Sequence, residues 1–302
     1  MKTGKQVSAW IGAVLVLGVL AAGVFAPLLA PSDPLDVHMA HRLAGPSAEY
    51  PLGTDHLGRC VLSRLLYGTR LSLFDALAVL AAVFAVSVPV GLLAGYAGGR
   101  TDRIIMTVID VLLAFPGLIL ALAVAAMLGP GALHLLLAFA AVWWAGYARL
   151  IRGMVLQLKE NDYVLAARAS GSSHLRIAFD HILRGAARPI LVLASMETGT
   201  ILLSLAGLSF LGLGAQPPVP EWGVMLSDSR PYIQTEPNLM LFPGLAIAVS
   251  VLGFNLLAEG LREPGGPSRS WRNSFGGAAP KRSRAAKPAA SARIEAQRGH
   301  GE

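Results

Sequence analysis

The chain alternates long uncharged apolar runs with shorter polar stretches, and the length of each run decides what it can be. A helix needs about 20 mainly apolar residues to cross the hydrocarbon layer of a bilayer. Six runs bounded by loop signals are read as spans, at residues 7–29, 71–97, 104–128, 133–148, 189–213 and 239–261. The first exceeds the apolar region of a cleaved secretory signal, about 7–15 residues, and predicts an uncleaved anchor helix. Gly129, Pro130 and Gly131 cannot comfortably prolong a helix and predict a tight turn between the third and fourth spans. The Gly and Pro residues between Leu213 and Trp222 end the fifth abruptly, with Trp222 expected at headgroup level. The predicted fold class is all-α, a polytopic membrane protein with six transmembrane helices.

The domain reading follows the runs. Residues 1–70 form an anchor helix and an external segment, residues 71–262 a core with a polar loop at 151–188, and residues 263–302 a basic tail. The tail is rich in Ala, Pro, Gly, Ser and Arg without apolar periodicity, so it is expected to be disordered. Pro51 to Arg70 carries three arginines, too many for insertion, and is expected to lie across the outer mouth with Leu57, Val61, Leu65 and Leu66 covering apolar surface.

Composition agrees with a lipid solvent: 54% of the residues are hydrophobic, 14% are charged, and the mean hydropathy is +0.57. The net charge of +7 does not point to nucleic acid. Its cations sit in loops and the tail, where juxtamembrane charge meets anionic lipid headgroups. Their distribution also orients the chain, because cytoplasmic loops keep the excess of Lys and Arg. With the N-terminus inside, the inner segments hold Lys2, Lys5, Arg100, Arg103, seven cations from Arg149 to Arg188 and nine from Arg262 onward, against five outside. Both termini are therefore expected in the cytoplasm, with the chain in the inner (plasma) membrane. Cys60 is the single cysteine, which excludes an intramolecular disulfide and a thiol metal cluster.

The most unusual stretch is the basic loop from Tyr163 to Pro189, too charged for hydrocarbon yet too helix-prone for a tether. Asp162 or Asn161 can cap a short helix, Ala and Leu fill it, and Gly171 supplies a left-handed stop. A second helical stretch, Ser173 to Leu183, leads back towards the bilayer. Tyr163, Ala166, Ala167 and Ser170 recur a turn apart and give a small-residue face that fits a partner's groove. The alternative is an amphipathic helix lying on the inner membrane surface.

This loop resembles the cytoplasmic coupling loop of ABC importer permeases, whose pattern is Glu-Ala-Ala, a Gly four residues on, and a distal Ile-Leu-Pro. The matching positions are Leu165-Ala166-Ala167, Gly171 and Ile182-Leu183-Arg184, with Leu165 standing for the usual Glu and Arg184 for the usual Pro. PLGTDHLGRCVLSRLLYGTRLSL at 51–73, LSFLGLG at 208–214 and PEWGVML at 220–226 are similar to the peptide/nickel subfamily and occur in its order. The resemblance implies a type I ABC importer permease-like fold. It also implies four kinds of partner: a second homologous permease subunit, two cytoplasmic ATPase subunits, an extracytoplasmic substrate-binding protein and membrane lipid. No cofactor is implied for this chain, since ATP would be hydrolysed by the partner subunits. Asp162, Tyr163, Leu165, Ala166, Ala167, Ser170 and Gly171 are then the ATPase-coupling residues. Leu165, the Asp180-His181 pair, Glu197, Leu205 and Thr235-Glu236-Pro237 resemble the nickel branch, which implies nickel or a metal chelate as cargo. Di- or oligopeptides are the alternative.

Two acids, Asp110 and Glu197, are read inside spans, where a carboxylate is costly and faces a bundle interior or an aqueous cavity. Asp110 is near the inner interface, where pairing with a basic residue suffices; Glu197 is the candidate for the translocation pathway. His38, His41 and His56 lack carboxylate or thiol neighbours in register, so no metal ligands are assigned. No lysine has the glycines and hydroxyl of a phosphate-binding loop, and no hydrolase motif occurs, so no catalytic residue is assigned and the chain is read as a transport subunit. An ion-coupled secondary transporter is a remote alternative, since such proteins commonly show several midplane ionisable groups or symmetric halves. Gly95, Gly98, Gly99 and the Phe115-Pro116-Gly117 break are candidate flexing or close-packing points.

Overall fold

The computed structural model describes residues 2–262, with side chains from Gln6 onward. The tail at 263–302 lies outside the described residues. Nine helices organise the rest: α1 (Lys2–Val24), α2 (Val61–Ala97), α3 (Gly99–Leu113), α4 (Gly117–Leu128), α5 (Ala132–Lys159), α6 (Asp162–Ala169), α7 (His174–Phe210), α8 (Trp222–Ser229) and α9 (Asn238–Leu261). Shorter helical turns, such as Ala26–Leu29, fill the connections. Among the described residues β pairing is limited to one isolated bridge, Thr54 to Cys60.

Five helices are long and apolar enough to cross a membrane, and the bent pair α3 and α4 makes six spans if it counts as one. At 1.5 Å per residue, α3 reaches about 22 Å and α4 about 18 Å, so neither alone covers a layer of about 30 Å. They meet at an 80° bend. Pro116 explains the break: its ring removes a backbone donor, and the residue before it is driven out of helical geometry. The third expected span is thus a broken one.

Two spans are longer than their apolar runs. α2 begins at Val61, ten residues before the expected start, and α7 begins at His174 and passes through Pro189 without ending. Within α7, Ile177–Leu183 is wound as a π-helix. The expectation that 51–70 lies across the mouth is therefore corrected, since its second half is the first part of α2. Its charge does not prevent burial because the charge is compensated. Arg59 and Arg64 are each 2% exposed and share Asp55 and Asp228, with Arg59 Nε donating to Asp55 at 2.7 Å. Arg64 Nη1 also donates to the Pro218 carbonyl at 3.2 Å, tying this segment to the connection before α8. Trp222 is likewise corrected, for it is wholly buried and its Nε1 donates to the Leu65 carbonyl at 3.2 Å.

The core runs between α2, α5, α7 and α9 and includes Leu73, Val79, Val83, Phe139, Ile201, Leu202 and Phe254. Outward sides stay apolar: Leu17, Ile104, Ile119, Met127 and Leu191 are all more than 60% exposed, as suits a surface that lipid solvates. Small residues let the backbones close up. A Cβ on Gly91 of α2 would stand 2.7 Å from the Ala148 carbonyl and 2.9 Å from Ile151 Cβ of α5. Gly95 packs similarly on Val155, whereas Gly98 and Gly99, both at positive φ, turn the chain from α2 into α3. Gly91→Leu is therefore expected to overpack the α2–α5 contact, costing about 1–3 kcal/mol. Thermal unfolding of the detergent-purified protein would show the lowered midpoint.

Candidate functional site

The helix α6 sits at the end of the bundle where α2 and α5 finish and α7 begins. Its first amides bond to the Asn161 carbonyl, at 2.9 Å from Val164 and 3.1 Å from Leu165. Neither Asn161 nor Asp162 caps with its side chain, which corrects that expectation. Both are exposed to solvent, and Asp162 acts only as an acid in the first turn, where the helix dipole favours it. The stop is as anticipated. Gly171 has φ +79°, its N–H donates to the Arg168 carbonyl at 3.1 Å, and Ser172 N–H donates to the Ala167 carbonyl at 3.1 Å, the two bonds of a Schellman motif. Ser173 Oγ then accepts from Arg176 N–H and opens α7.

What roots this short helix is Val164. It is fully buried in a cluster with Leu92 of α2, Ile151 and Val155 of α5, and Ile177, Ala178 and Ile182 of α7. Polar contacts reinforce the cluster: Lys159 Nζ donates to the Tyr96 carbonyl at 2.8 Å, and the Tyr96 hydroxyl lies 2.8 Å from His174 Nδ1. With Val164 pointing inward, the expected small-residue face divides in two. Leu165 and Ala166 face out and are exposed, while Tyr163, Ala167 and Ser170 line a groove against the first turns of α7. Tyr163 closes one end of that groove, since its hydroxyl is 3.2 Å from where a Cβ on Gly185 would be.

Residues 87–263 match the family described as the binding-protein-dependent transport system inner membrane component. The chain belongs to that family. It is 43% identical over 259 residues to a dipeptide transport system permease of Alkalihalophilus pseudofirmus, covering 86% of this chain and 85% of the relative. A nickel transport system permease of Escherichia coli is 43% identical over 233 residues, covering 77% of this chain and 84% of the relative. A glutathione transport system permease of Pectobacterium atrosepticum is 44% identical over 260 residues, or 86% of each chain. The chain is thus an ABC importer permease of the peptide/nickel type, and members of this family work with ATPase and binding-protein subunits.

Within this permease the acids in the spans occupy distinct settings. Asp110 pairs with Arg149, and Asp102 with Arg152 at 2.6 Å, so α3 is fastened to α5 by two ion pairs. Glu197, half-buried in α7, faces the Tyr147 hydroxyl of α5, whose ring stacks on Phe84 of α2 at 5.4 Å. Asp75 is a further acid in a span, near the start of the second apolar run, and the sequence reading missed it. It lines a small cavity between α2, α5 and α7 together with Ser72, Ser209 and Glu221.

Glu221 is the hub of the end opposite α6. Its carboxylate accepts from Gly223 N–H at 3.0 Å and Val224 N–H at 3.2 Å, capping α8, and from the Ser72 hydroxyl at 3.2 Å. Burial pushes the Glu221 carboxyl up from the ordinary range, and the donors of Gly223, Ser209, Val224 and Ser72 only partly offset this. The signal for Glu221 was present in the sequence, as an acid directly before a helix and after three prolines. The Asp55, Arg59, Arg64 and Asp228 cluster had no such signal as a whole, because Asp228 joins the other three from more than 160 residues along the chain.

Two measurements check this geometry. Val164→Ala removes buried methyls at the root of α6 and is expected to cost about 2 kcal/mol there. Hydrogen exchange at the α6 amides should quicken while the spans stay protected. For Glu221, a raised folded-state pKa means the fold binds the proton more readily than the unfolded chain, so stability declines as pH rises from the unfolded value through the folded one. Glu221→Gln keeps an acceptor oxygen and loses the titration, so the difference in thermal midpoint between variant and wild type is expected to grow in the variant's favour across that window.

Proposed function

We propose that this permease is one of two membrane-spanning subunits of an ATP-driven importer, with both termini in the cytoplasm and α6 as the element through which the ATPase subunits act. The rooting of α6 carries this reading. A helix of eight residues is marginal alone, yet here it is stopped by Gly171 and rooted through Val164 in an apolar cluster that also holds side chains of α2, α5 and α7. A push on α6 would then reach the spans through that cluster. Closure of the ATPase dimer on ATP would carry α6 with it and rock the spans, exposing the cargo path to alternate sides. The excess of Lys and Arg at this end of the chain supports its cytoplasmic placement.

For the cargo, nickel or a metal chelate is the reading we favour. Glu197 supports it, as a half-buried carboxylate between α5 and α7 that offers a passing cation a partner. The nickel permease relative and Leu205, beside the Asp75 cavity, point the same way. The Asp180-His181 pair does not bear on cargo, because both residues line the groove beside α6 and not the space between the spans. Short peptides are the second reading, favoured by the dipeptide and glutathione relatives, which align over 86% of this chain against 77% for nickel.

Uptake of radiolabelled nickel and of a labelled dipeptide, measured in cells lacking this gene, separates the two. Loss of nickel uptake is expected, and loss of dipeptide uptake alone would overturn the metal reading. Gly171→Pro tests the coupling role, since proline fixes φ near −65° and removes the N–H that bonds to Arg168. Uptake should fall to background with the amount of membrane-inserted protein unchanged; normal uptake would remove α6 from the mechanism.

A further inference from the structure

The period of the helix divides α3 lengthwise into three faces. Met106 and Ile109 turn towards α5, where Ile109 is fully buried in a cluster with Ala145 and Ala148. Ile104, Val108 and Val111 form an exposed apolar face that lipid can solvate. Arg100, Arg103, Thr107 and Asp110 form the third face, and all four are exposed. Lipid does not account for this polar stripe. Asp110 stands about 16 Å along α3 from Gly99, about half the thickness of a hydrocarbon layer. Its ion pair with Arg149 is not tucked into the seam between the helices, as Asp102 with Arg152 is. The Asp110 and Arg149 side chains are 63% and 41% exposed, against 19% and 26% for the other pair. The surface of α5 beside Arg149 is cut back, since a Cβ on Gly146 or Gly153 would meet nothing within 4 Å.

We propose that this stripe faces water and lines the inner part of the cargo route, with Asp110 as the carboxylate that receives a positive charge on the cargo. That charge is a metal cation or the ammonium group of a short peptide. The inference rests on the importer reading and adds a second acid to Glu197. Two features favour water over a protein cover. The stripe runs through Arg103 and Arg100 to the cytoplasmic end of α3, so solvent can follow it inward. A packed interface would instead put apolar residues at its centre and charge at its rim, whereas here the charge pair lies deepest. Arg149 holds Asp110 in place between passages, and a cation displaces it without leaving either group in hydrocarbon.

The test uses the assembled complex in nanodiscs. Cys60→Ala gives a background without thiols, since Cys60 is the single cysteine. In it, Thr107→Cys is expected to react with a charged thiol reagent about tenfold faster than Val108→Cys, because the reactive thiolate forms in water and not in lipid. Holding the ATPase subunits closed with ATP and vanadate should slow the Thr107→Cys reaction severalfold, as alternating access shuts the inner side. Equally slow reaction at both positions would overturn the proposal by placing the stripe against lipid or the second permease. Equally fast reaction would overturn it by putting all of α3 in solvent, and a rate indifferent to nucleotide would remove the stripe from the route. In cells, Asp110→Asn should lower uptake of whichever labelled cargo the wild type carries, nickel or dipeptide, about tenfold, and Asp110→Glu should restore most of it. Unchanged uptake in Asp110→Asn would overturn the role of the carboxylate. The importer reading fails separately: a fully active Gly171→Pro removes the coupling, whereas an inactive Gly171→Pro beside nucleotide-independent labelling sinks the stripe alone.

Discussion

The burial of Val164 is the contact on which the arrangement at the α6 end depends. Without it, α6 would be an eight-residue helix held by backbone bonds that water competes for, and such helices are marginal. Because Val164 lies in one apolar cluster with side chains of α2, α5 and α7, α6 is tied to the place where these helices meet. The contact also decides which side of α6 is left for a partner. Once Val164 faces inward, a period of 3.6 residues turns Leu165 and Ala166 outward and sends Tyr163, Ala167 and Ser170 to the groove.

The opposite end is held by a different kind of force. There the segment before α2 and the α8 region are joined by Arg59, Arg64, Asp55 and Asp228, and by Glu221 reaching from the cap of α8 to Ser72 of α2. Buried ion pairs contribute little net stability, but removing one partner leaves a costly bare charge. Such a cluster therefore fixes one geometry more than it strengthens it. The two ends of the bundle are thus held by forces of different kinds, an apolar root at one and matched charges at the other.

The apolar runs made the number of spans and the all-helical class legible, because crossing a hydrocarbon layer imposes a length that composition alone reveals. Gly171 was legible too, since a left-handed stop after a helical octet has few alternatives. The start of α2 was not, nor was the continuity of the expected Ser173–Leu183 helix with the fifth span. Arg59 and Arg64 marked loop in a one-dimensional reading, whereas they pair with nearby Asp55 and with Asp228 far along the chain. Asp75 was passed over inside an apolar run, and the inward turn of Val164 could not be told from the outward turn of Leu165 one residue on, as both are aliphatic.

The length of α7 gives this division a mechanical consequence. At 1.5 Å per residue its 37 residues reach about 55 Å, well beyond a hydrocarbon layer of about 30 Å. The same element thus lines the groove at one end with Asp180 and Arg184, carries Glu197 within the bundle, and packs Leu205 and Ser209 beside the Asp75 cavity at the other. A continuous helix transmits tilt over its whole length, and the π-wound turns at Ile177–Leu183 are the place along it where hydrogen bonding is least regular. Pro189, two turns on, leaves the Gly185 carbonyl without its usual donor and adds compliance to the same stretch. The more regular part of α7 therefore begins after the segment that packs beside α6.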